Sequence, residues 1–514
     1  MKKAETGIVP YPSSIEIDTG RMQYAENKVE RRLVPGEFSP ESYDLVIDQD
    51  AIVIRAGDDA GIFYGERTLN QLLCQFGNDL PRMRIKDGPA FPYRSFHLDC
   101  ARHFIPVDVL KKTISCAAEF KLNHFHWHFS DDQGYRIESE RFPLLTEVAS
   151  CRKGDHFGTH RDNTEEQYFY TKAEIRELVS FASEKHIEIV PEIDMPGHVT
   201  AILAAYPFLS CSGEKKEVAT REGIYRDILC PGKEETFDFL SGLIDELTEL
   251  FPGKYFHIGG DETPKKLWET CPYCRKRMEE EGLGNTRELQ GYLQNRVADY
   301  LKSKGKTAIA WNESALGGNL SKDIILQLWN DDPDDPAMKA FRMKDKSGHP
   351  TSPNQGIGAK YIEAGGNVIM SNMLTSYCDY PPAFVKAKTI FDDPVLPQKC
   401  EGIRNTKEHV LGGEALCWTE HIRTEEELAE KIWPRYCVKA ERLWSGPKMP
   451  DAGFSCFRKR LADIYPVFAA CGITAPSTMK EAVPGPIESV KQMAQFMKNL
   501  GNNREDYKEA QKEV

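Results

Sequence analysis

The sequence predicts an α/β protein built on a (β/α)8 TIM barrel, with a small α+β domain before the barrel and a helical tail after it. Eight short apolar, β-rich runs follow one another through the middle of the chain, and helix-like segments separate most of them. Each run ends in polar or charged residues, as expected where catalytic groups gather at the carboxyl ends of barrel strands. The eight runs are residues 96–102, 124–132, 187–194, 255–262, 307–313, 324–330, 367–372 and 411–420.

The N-terminal segment differs from the rest and predicts a separate domain at residues 1–90. Residues 43–55 form two β-type runs around a polar turn, and residues 61–76 carry apolar residues at helical spacing. Proline and glycine cluster over residues 81–92, which is typical of a domain boundary. We therefore expect a small α+β unit that ends there.

The segments between the β-type runs predict helices that bury one face against a barrel. The clearest are residues 107–120, 172–186, 234–250 and 286–303. Residues 331–365 are expected to form an inserted loop, and residues 380–410 show little regular pattern. We place the catalytic barrel at residues 91–446 and a charged helical tail at 447–514.

Composition excludes several classes of function. The chain has 514 residues and a net charge of −13, so its surface repels nucleic acid and anionic membranes. No apolar stretch approaches the ~20 residues of a membrane span, and no apolar run follows the two N-terminal lysines. A cytoplasmic location is therefore expected.

The 14 cysteines are scattered through a long chain that needs no disulfide framework, which favours reduced thiols. Cys271-Pro-Tyr-Cys274 has the spacing of metal ligands, but no second pair with such spacing accompanies it. Two ordinary thiols near a helix start are the expectation here.

Two acidic residues, Asp261 and Glu262, follow a glycine pair at the end of the fourth run. Neighbouring strand residues point to opposite sides, so this pair is not expected to flank a sugar ring as the two carboxyl groups of an ordinary retaining glycosidase do. One proton donor and one orienting group fit better. The alternative is a helix N-cap pair ahead of Thr263 and Pro264.

Three histidines alternate on the second run, so His124, His126 and His128 share one strand face. Followed by Asp131 and Asp132, they indicate either a zinc site or a polar barrel layer that is hydrogen-bonded to neighbouring strands.

Three indoles near strand ends, those of Trp311, Trp329 and Trp418, suggest an aromatic box for a flat apolar ligand face, with acids nearby for hydroxyl groups. A sugar fits that description. The remaining polar groups at the run ends, each of which taken alone could form an ordinary salt bridge, are Arg102, His103, Glu192, Asp194, His198 and Glu420.

Taken together, the ordered motifs resemble the β-N-acetylhexosaminidases of glycoside hydrolase family 20 across residues 90–445. Residues 58–73 also resemble the end of the small domain that precedes the barrel in that family. The matching motifs are Leu98-Asp-Cys-Ala-Arg-His-Phe104, His126-Trp-His-Phe-Ser-Asp-Asp-Gln-Gly134, Pro191-Glu-Ile-Asp-Met-Pro-Gly-His198, His257-Ile-Gly-Gly-Asp-Glu262, Trp311-Asn-Glu313 and Trp418-Thr-Glu420.

The resemblance implies a retaining exo-hydrolase of terminal β-linked N-acetylglucosamine or N-acetylgalactosamine, in which the substrate acetamide is the nucleophile and no metal or organic cofactor takes part. It implies that Glu262 is the general acid and base, that Asp261 holds the acetamide N–H, and that Tyr377 hydrogen-bonds its oxygen. Sugar hydroxyls would be bound by Arg102, Asp379 and Glu420. The implied supporting and wall residues are Asp131, His198, Trp311, Trp329 and Trp418.

Two features depart from the family pattern. The first domain is short and is expected to lack several early strands, and no tryptophan stands between Asp379 and Trp418; Tyr380, Phe384 and Phe391 are candidates to replace it. Two alternative functions stay open at this point. One is a zinc-dependent hydrolase built on His126 and His128, and the other is a non-catalytic glycan-binding barrel, against which the intact Asp261-Glu262 pair argues.

Overall fold

The computed structural model describes residues 6–331, 356–397, 399–400, 402–446 and 453–510, with side chains as far as residue 498. Eight parallel strands close into a barrel, each paired with the next along the chain and the eighth paired with the first. The predicted TIM barrel is confirmed, and every one of the eight runs overlaps a barrel strand. In order, the barrel strands are Tyr93–Asp99, His124–His128, Glu188–Glu192, Tyr255–His257, Thr307–Trp311, Ile325–Leu328, Val368–Met370 and Val410–Ala415.

The four clearest helix predictions are met at Val107–Glu119, Lys172–Ser183, Glu234–Leu250 and Thr286–Ser303. The second of these shows why: Thr171 and Glu174 form a reciprocal capping box, and the helix buries Ile175, Leu178 and Ala182 on one face. The shorter helices around the barrel are Pro143–Glu147, Thr200–Ala205, Lys266–Thr270, Pro272–Glu280, Ile357–Glu363, Met373–Ser376, Ala387–Phe391, Thr406–His409, Glu425–Ile432 and Arg435–Ser445.

Short elements fill some of the connections between strands and helices. The 3-10 helices are Glu26–Lys28, Pro207–Leu209 and Asn312–Gly317, and the two-residue strands are Ser130–Asp131, Gly134–Tyr135, Cys151–Arg152 and Glu166–Gln167.

The N-terminal domain is a five-stranded sheet covered by the helix Asp59–Phe76. Three of its strands, the first two and the last, were not predicted, and the presence of the first two contradicts the expected loss of early strands. Both strands are largely exposed and carry charged residues, which gives them no clear apolar alternation. In chain order the strands are Ser14–Gln23, Val29–Leu33, Tyr43–Ile47, Ile52–Ala56 and Asp79–Asp87.

Buried polar contacts join this domain to the barrel. Asp87 Oδ2 accepts hydrogen bonds from Trp444 Nε1 and from the buried Lys121 ammonium, each at 2.9 Å. The Arg94 guanidinium pairs with Glu41 at 2.8 Å. The two parts therefore share a satisfied polar interface, while the domain boundaries near residues 90 and 446 stay predictions.

Helices Phe454–Asp463, Pro466–Ala470 and Pro486–Ala510 form the C-terminal tail, as predicted. Residues 332–355, which make up most of the predicted inserted loop, lie outside the described residues, and residues 357–363 of that segment are helical. Among the residues that the structure describes, no helix is both long and apolar enough to cross a membrane.

Candidate active site

A buried layer of charged side chains lies inside the barrel, centred on Glu192 of the third strand. Glu192 Oε1 accepts a hydrogen bond from Trp311 Nε1 at 2.9 Å and lies 2.8 Å from His257 Nδ1. Its Oε2 atom lies 3.1 Å from His126 Nε2 and also contacts His128 Nδ1. Four neighbouring side chains thus share one carboxylate.

The contacts in this layer show which of the two alternatives applies to the alternating histidines. Burial alone would lower the pKa of His126, but Glu414 and Glu192 outweigh it and raise the pKa to about 9. Nδ1 of the same ring lies 3.0 Å from Glu414 Oε1, and both His126 and His128 are fully buried. A catalytic zinc needs an open coordination position facing substrate, whereas these rings are enclosed and held by carboxylates. The polar-layer alternative is therefore favoured over the zinc site.

Above the layer, the three predicted tryptophans meet at the barrel mouth together with Tyr377. The ring centres of Trp311 and Trp418 lie 6.2 Å apart, and Tyr377 lies 6.3 Å from Trp329 and 6.4 Å from Trp418. These rings come from the fifth, sixth, seventh and eighth strand ends. The structure therefore brings together the aromatic box that the sequence suggested.

Asp261 and Glu262 lie beyond the fourth strand, which ends at His257. Asp261 Oδ2 and Glu262 Oε2 each lie 3.7 Å from Nε2 of His198. The expectation that the two side chains point in opposite directions is wrong, because strand alternation does not apply outside the strand and Glu262 has a left-handed φ of 42°. The capping alternative is also wrong, since the next helix starts at Lys266.

The glycine pair ahead of these acids allows a close approach to Asp194. Gly259 and Gly260 have φ values of 59° and 112°. A Cβ atom on Gly259 would lie 1.7 Å from Asp194 Oδ1, and one on Gly260 would lie 2.0 Å from Ser314 Oγ. Gly260 N–H donates to Asp194 Oδ1 at 3.1 Å. The two glycines thus fix the backbone path from the fourth strand to Asp261 and Glu262.

His198 and Arg102 both reach the same carboxylate, that of Asp131. Arg102 Nη2 lies 2.7 Å from Asp131 Oδ2, and His198 Nδ1 lies 3.3 Å from Asp131 Oδ1. Burial would raise the pKa of Asp131, but Arg102 and His198 outweigh it and hold the pKa well below its ordinary value. Asp131 therefore stays ionised and orients the imidazole that faces Asp261 and Glu262.

Glu262 combines a raised pKa with a partly exposed side chain. Burial raises the pKa of Glu262 to about 7, with Asp261 adding to the rise and His198 opposing it. The side chain is still 35% exposed through the barrel mouth. A carboxyl group of this kind keeps its proton near neutral pH and can still reach a ligand, which is what a general acid requires.

Asp379 and Glu420 lie beside Trp418 at the rim. Asp379 Oδ1 accepts the Trp418 backbone N–H at 3.4 Å, and Glu420 Oε1 lies 3.8 Å from Arg102 Nη1. Burial raises the pKa of Asp379 to about 6 and that of Glu420 to about 7, the latter against the effect of Arg102. Both are placed to accept or donate hydrogen bonds at a ligand edge.

Two further acids, Glu313 and Asp194, lie in the site, although the sequence alone assigned no role to either. Glu313 accepts hydrogen bonds from Trp329 Nε1 at 2.9 Å and from Asn330 Nδ2 at 3.1 Å. Burial, aided by the Asp261 charge, raises the pKa of Glu313 to about 8. Burial and Asp261 likewise raise the pKa of Asp194 well above its ordinary value. Glu313 and Asp194 each lie at the end of a predicted β-type run. That position was the sequence signal available for finding them.

Two of the three candidates for the place of the missing tryptophan lie next to the aromatic box. Tyr380 stacks on Tyr377 with ring centres 6.1 Å apart, and Phe384 lies 5.4 Å from Tyr380. Phe391 instead packs in the core against Phe454 and Phe457. Tyr380 and Phe384 therefore continue the aromatic wall, whereas Phe391 does not contribute to it.

This site sits in a chain that matches one known family along most of its length. Residues 91–447 match the glycosyl hydrolase family 20 catalytic domain, and residues 5–88 match domain 2 of the same family. The chain belongs to glycosyl hydrolase family 20. The family resemblance of the sequence motifs is thereby confirmed.

Similar proteins of family 20 include a β-hexosaminidase of Porphyromonas gingivalis, 36% identical over 82% of this chain and 52% of that protein. A β-hexosaminidase of Akkermansia muciniphila is 31% identical over 90% of this chain and 90% of its own length. The X-ray structure of Flavobacterium johnsoniae chitobiase superposes with a TM-score of 0.77 at 31% identity, covering 98% of this chain and 76% of that one. This chain spans about half the length of the P. gingivalis protein.

Proposed function

We propose that this family 20 protein is a retaining exo-β-N-acetylhexosaminidase that removes terminal β-linked N-acetylglucosamine or N-acetylgalactosamine by substrate-assisted catalysis. The observation that carries the proposal is the approach of the Asp261 and Glu262 carboxyl groups to the same His198 nitrogen, each at 3.7 Å. Glu262, whose pKa burial raises to about 7, is the proton donor of this pair, and Asp261 beside it is the carboxylate that orients the acetamide. The acetamide group of the substrate then acts as nucleophile, as is general in family 20.

In the first step, Glu262 gives its proton to the glycosidic oxygen while the acetamide oxygen forms a bond to C1 and the aglycone leaves. Asp261 accepts a hydrogen bond from the acetamide N–H and stabilises the positive charge of the oxazolinium ion. Tyr377 donates a hydrogen bond from its hydroxyl to the acetamide oxygen and keeps its proton, a role that suits a phenol whose pKa burial raises well above its ordinary value.

In the second step, the Glu262 carboxylate removes a proton from water as the water oxygen attacks C1 and the C1–acetamide bond breaks. Two displacements at C1 retain the β configuration. Arg102, Asp379 and Glu420 bind the sugar hydroxyls, and the indoles of the aromatic wall hold the acetamide and the ring face.

The proposal is tested by offering aryl β-glycosides of N-acetylglucosamine, N-acetylgalactosamine and glucose side by side. Hydrolysis of either acetamido sugar, with little or none of the glucoside, supports acetamide participation and also measures epimer preference. Equal turnover of the glucoside would overturn the substrate-assisted mechanism.

The pH dependence follows from the pKa of Glu262. Because this acid must carry its proton and its pKa is about 7, kcat/KM is expected to be highest below that pH and to fall as pH rises through it. On an aryl substrate whose leaving group still needs protonation, Glu262→Gln should lose this basic limb. That comparison separates Glu262 from Glu420, whose pKa burial also raises to about 7. An unchanged basic limb in the variant would contradict the assignment.

A stable mimic of the bicyclic intermediate is expected to bind much more tightly than the product sugar. A thiazoline derivative of N-acetylglucosamine should inhibit at least about 10²-fold more strongly than N-acetylglucosamine itself, as ligands that resemble a transition state do. Asp261→Asn should lose most of this preference, since it no longer opposes the positive charge. Equal inhibition constants for the two ligands in the wild type would count against acetamide participation.

A further inference from the structure

Four cysteines that are far apart in the chain converge beside the active-site loops. Cys211 and Cys230 are brought together because Ser210 and Leu229 form a β-bridge. Cys271 and Cys274 approach them from the junction between helices Lys266–Thr270 and Pro272–Glu280. The four sulfur atoms all lie within 4.8 Å of one another.

Three of the six sulfur–sulfur distances match those of a tetrahedral metal site. Cys230 Sγ lies 3.5 Å from Cys274 Sγ and 3.8 Å from Cys271 Sγ, and Cys211 Sγ lies 3.7 Å from Cys274 Sγ. Zinc bound to four thiolates at ~2.3 Å in tetrahedral geometry separates the sulfur atoms by about 3.8 Å. The three distances share one narrow range, which does not single out two disulfide pairs.

The surroundings are those of a closed structural site. Cys230, Cys271 and Cys274 are buried in a small cluster with Trp268 and Leu289. Four protein ligands complete a tetrahedral shell and leave no position for substrate, as in structural rather than catalytic zinc sites.

The two backbone segments that carry these cysteines are in close contact. A Cβ atom on Gly232 would lie 2.2 Å from the carbonyl carbon of Tyr273 and 2.4 Å from the Cys274 nitrogen. Only glycine lets the segment after Cys230 approach the Cys271–Cys274 turn this closely. The Trp268 indole N–H also donates to the Leu229 carbonyl at 2.9 Å.

We propose that Cys211, Cys230, Cys271 and Cys274 bind one zinc ion as a structural tetrathiolate site. Binding releases the thiol protons and leaves the oxidation state of sulfur unchanged. The ion joins the segment that follows His198 to the segment that follows Glu262. It thereby holds together the two loops whose side chains meet at the catalytic pair.

The sequence expectation of two ordinary thiols at Cys271 and Cys274 is overturned if this site is occupied. The pair has partners, but Cys211 and Cys230 do not form a second closely spaced pair, so spacing alone could not reveal them.

The test uses the full chain, purified under reducing conditions, exposed to zinc chloride and then desalted over a weak chelating resin. We expect elemental analysis to find one zinc ion per chain. Exchange with cobalt(II) should give the intense charge-transfer and d–d bands of tetrahedral thiolate ligation. No retained metal, an octahedral cobalt spectrum, or disulfides among these cysteines in an alkylated peptide map would each overturn the proposal.

A matched pair of variants assigns the ligands. Cys274→Ala should lose the bound zinc, whereas Cys437→Ala, which alters an equally buried cysteine in the helix Arg435–Ser445, should keep it. Equal loss from both variants would overturn the assignment. If Cys274→Ala does not fold, the zinc content and cobalt spectrum of the wild type decide the question. None of these readouts depends on glycosidase activity, so they can fail while the proposed function stands.

Discussion

Glu262→Gln is expected to lose about 10²–10⁴-fold in kcat/KM on β-N-acetylglucosaminides with a poor leaving group, the usual contribution of a general acid. The loss should be much smaller on activated aryl glycosides, whose departure needs little protonation. Glutamine keeps the shape of the side chain and removes the proton that burial holds on Glu262 near neutral pH. Steady-state kinetics on one substrate of each kind measures the contrast.

A surface variant serves as the matched control for this charge change. Glu177→Gln removes a carboxylate that is 63% exposed and pairs with Lys111 on the surface, so both substrates should keep wild-type kinetics. Equal losses on the two substrate classes by a folded Glu262→Gln protein would remove Glu262 from the role of acid.

Asp261→Asn should lower kcat by about 10²–10³-fold, as removal of one charge-stabilising group does, with a much smaller change in KM. The missing negative charge opposes a positive charge that grows only as the oxazolinium ion forms, so the transition state suffers more than the bound substrate. The loss should persist on activated aryl glycosides, because leaving-group assistance is not what the substitution removes.

The two variants therefore give opposite patterns on the same pair of substrates. Asp323→Asn, which changes an exposed aspartate paired with Lys302, is the control for the loss of one carboxylate. If the better leaving group rescues Asp261→Asn but not Glu262→Gln, the two roles have been assigned the wrong way round.

The sequence predicted the barrel well because most of its strands lie in short β-rich runs that carry apolar residues and end in polar residues at the barrel mouth. The strand Thr307–Trp311, for example, lies within its predicted run. It failed for Ser14–Gln23, whose side chains are mostly exposed, since an exposed edge strand needs no apolar alternation.

At the site, the residue types were predictable but their directions were not. The left-handed φ of 42° at Glu262 turns its side chain toward His198. No local sequence pattern predicts such a strained conformation at a residue other than glycine. The partners of Glu313 and the convergence of Cys211 with Cys274 are features of the tertiary structure. They depend on how separate loops meet above the barrel, which local sequence patterns do not describe.

The charged layer beneath the aromatic wall has a consequence for how the barrel folds. Glu192 of the third strand is balanced by His128 of the second, His257 of the fourth and Trp311 of the fifth. A buried carboxylate stripped of such partners is strongly destabilising. A barrel that lacks any one of these strands would leave the Glu192 charge without that partner in the protein interior, so partly assembled forms are destabilised. The layer thereby favours cooperative, all-or-none closure of the ring, a contribution to folding that is separate from the chemistry performed above it.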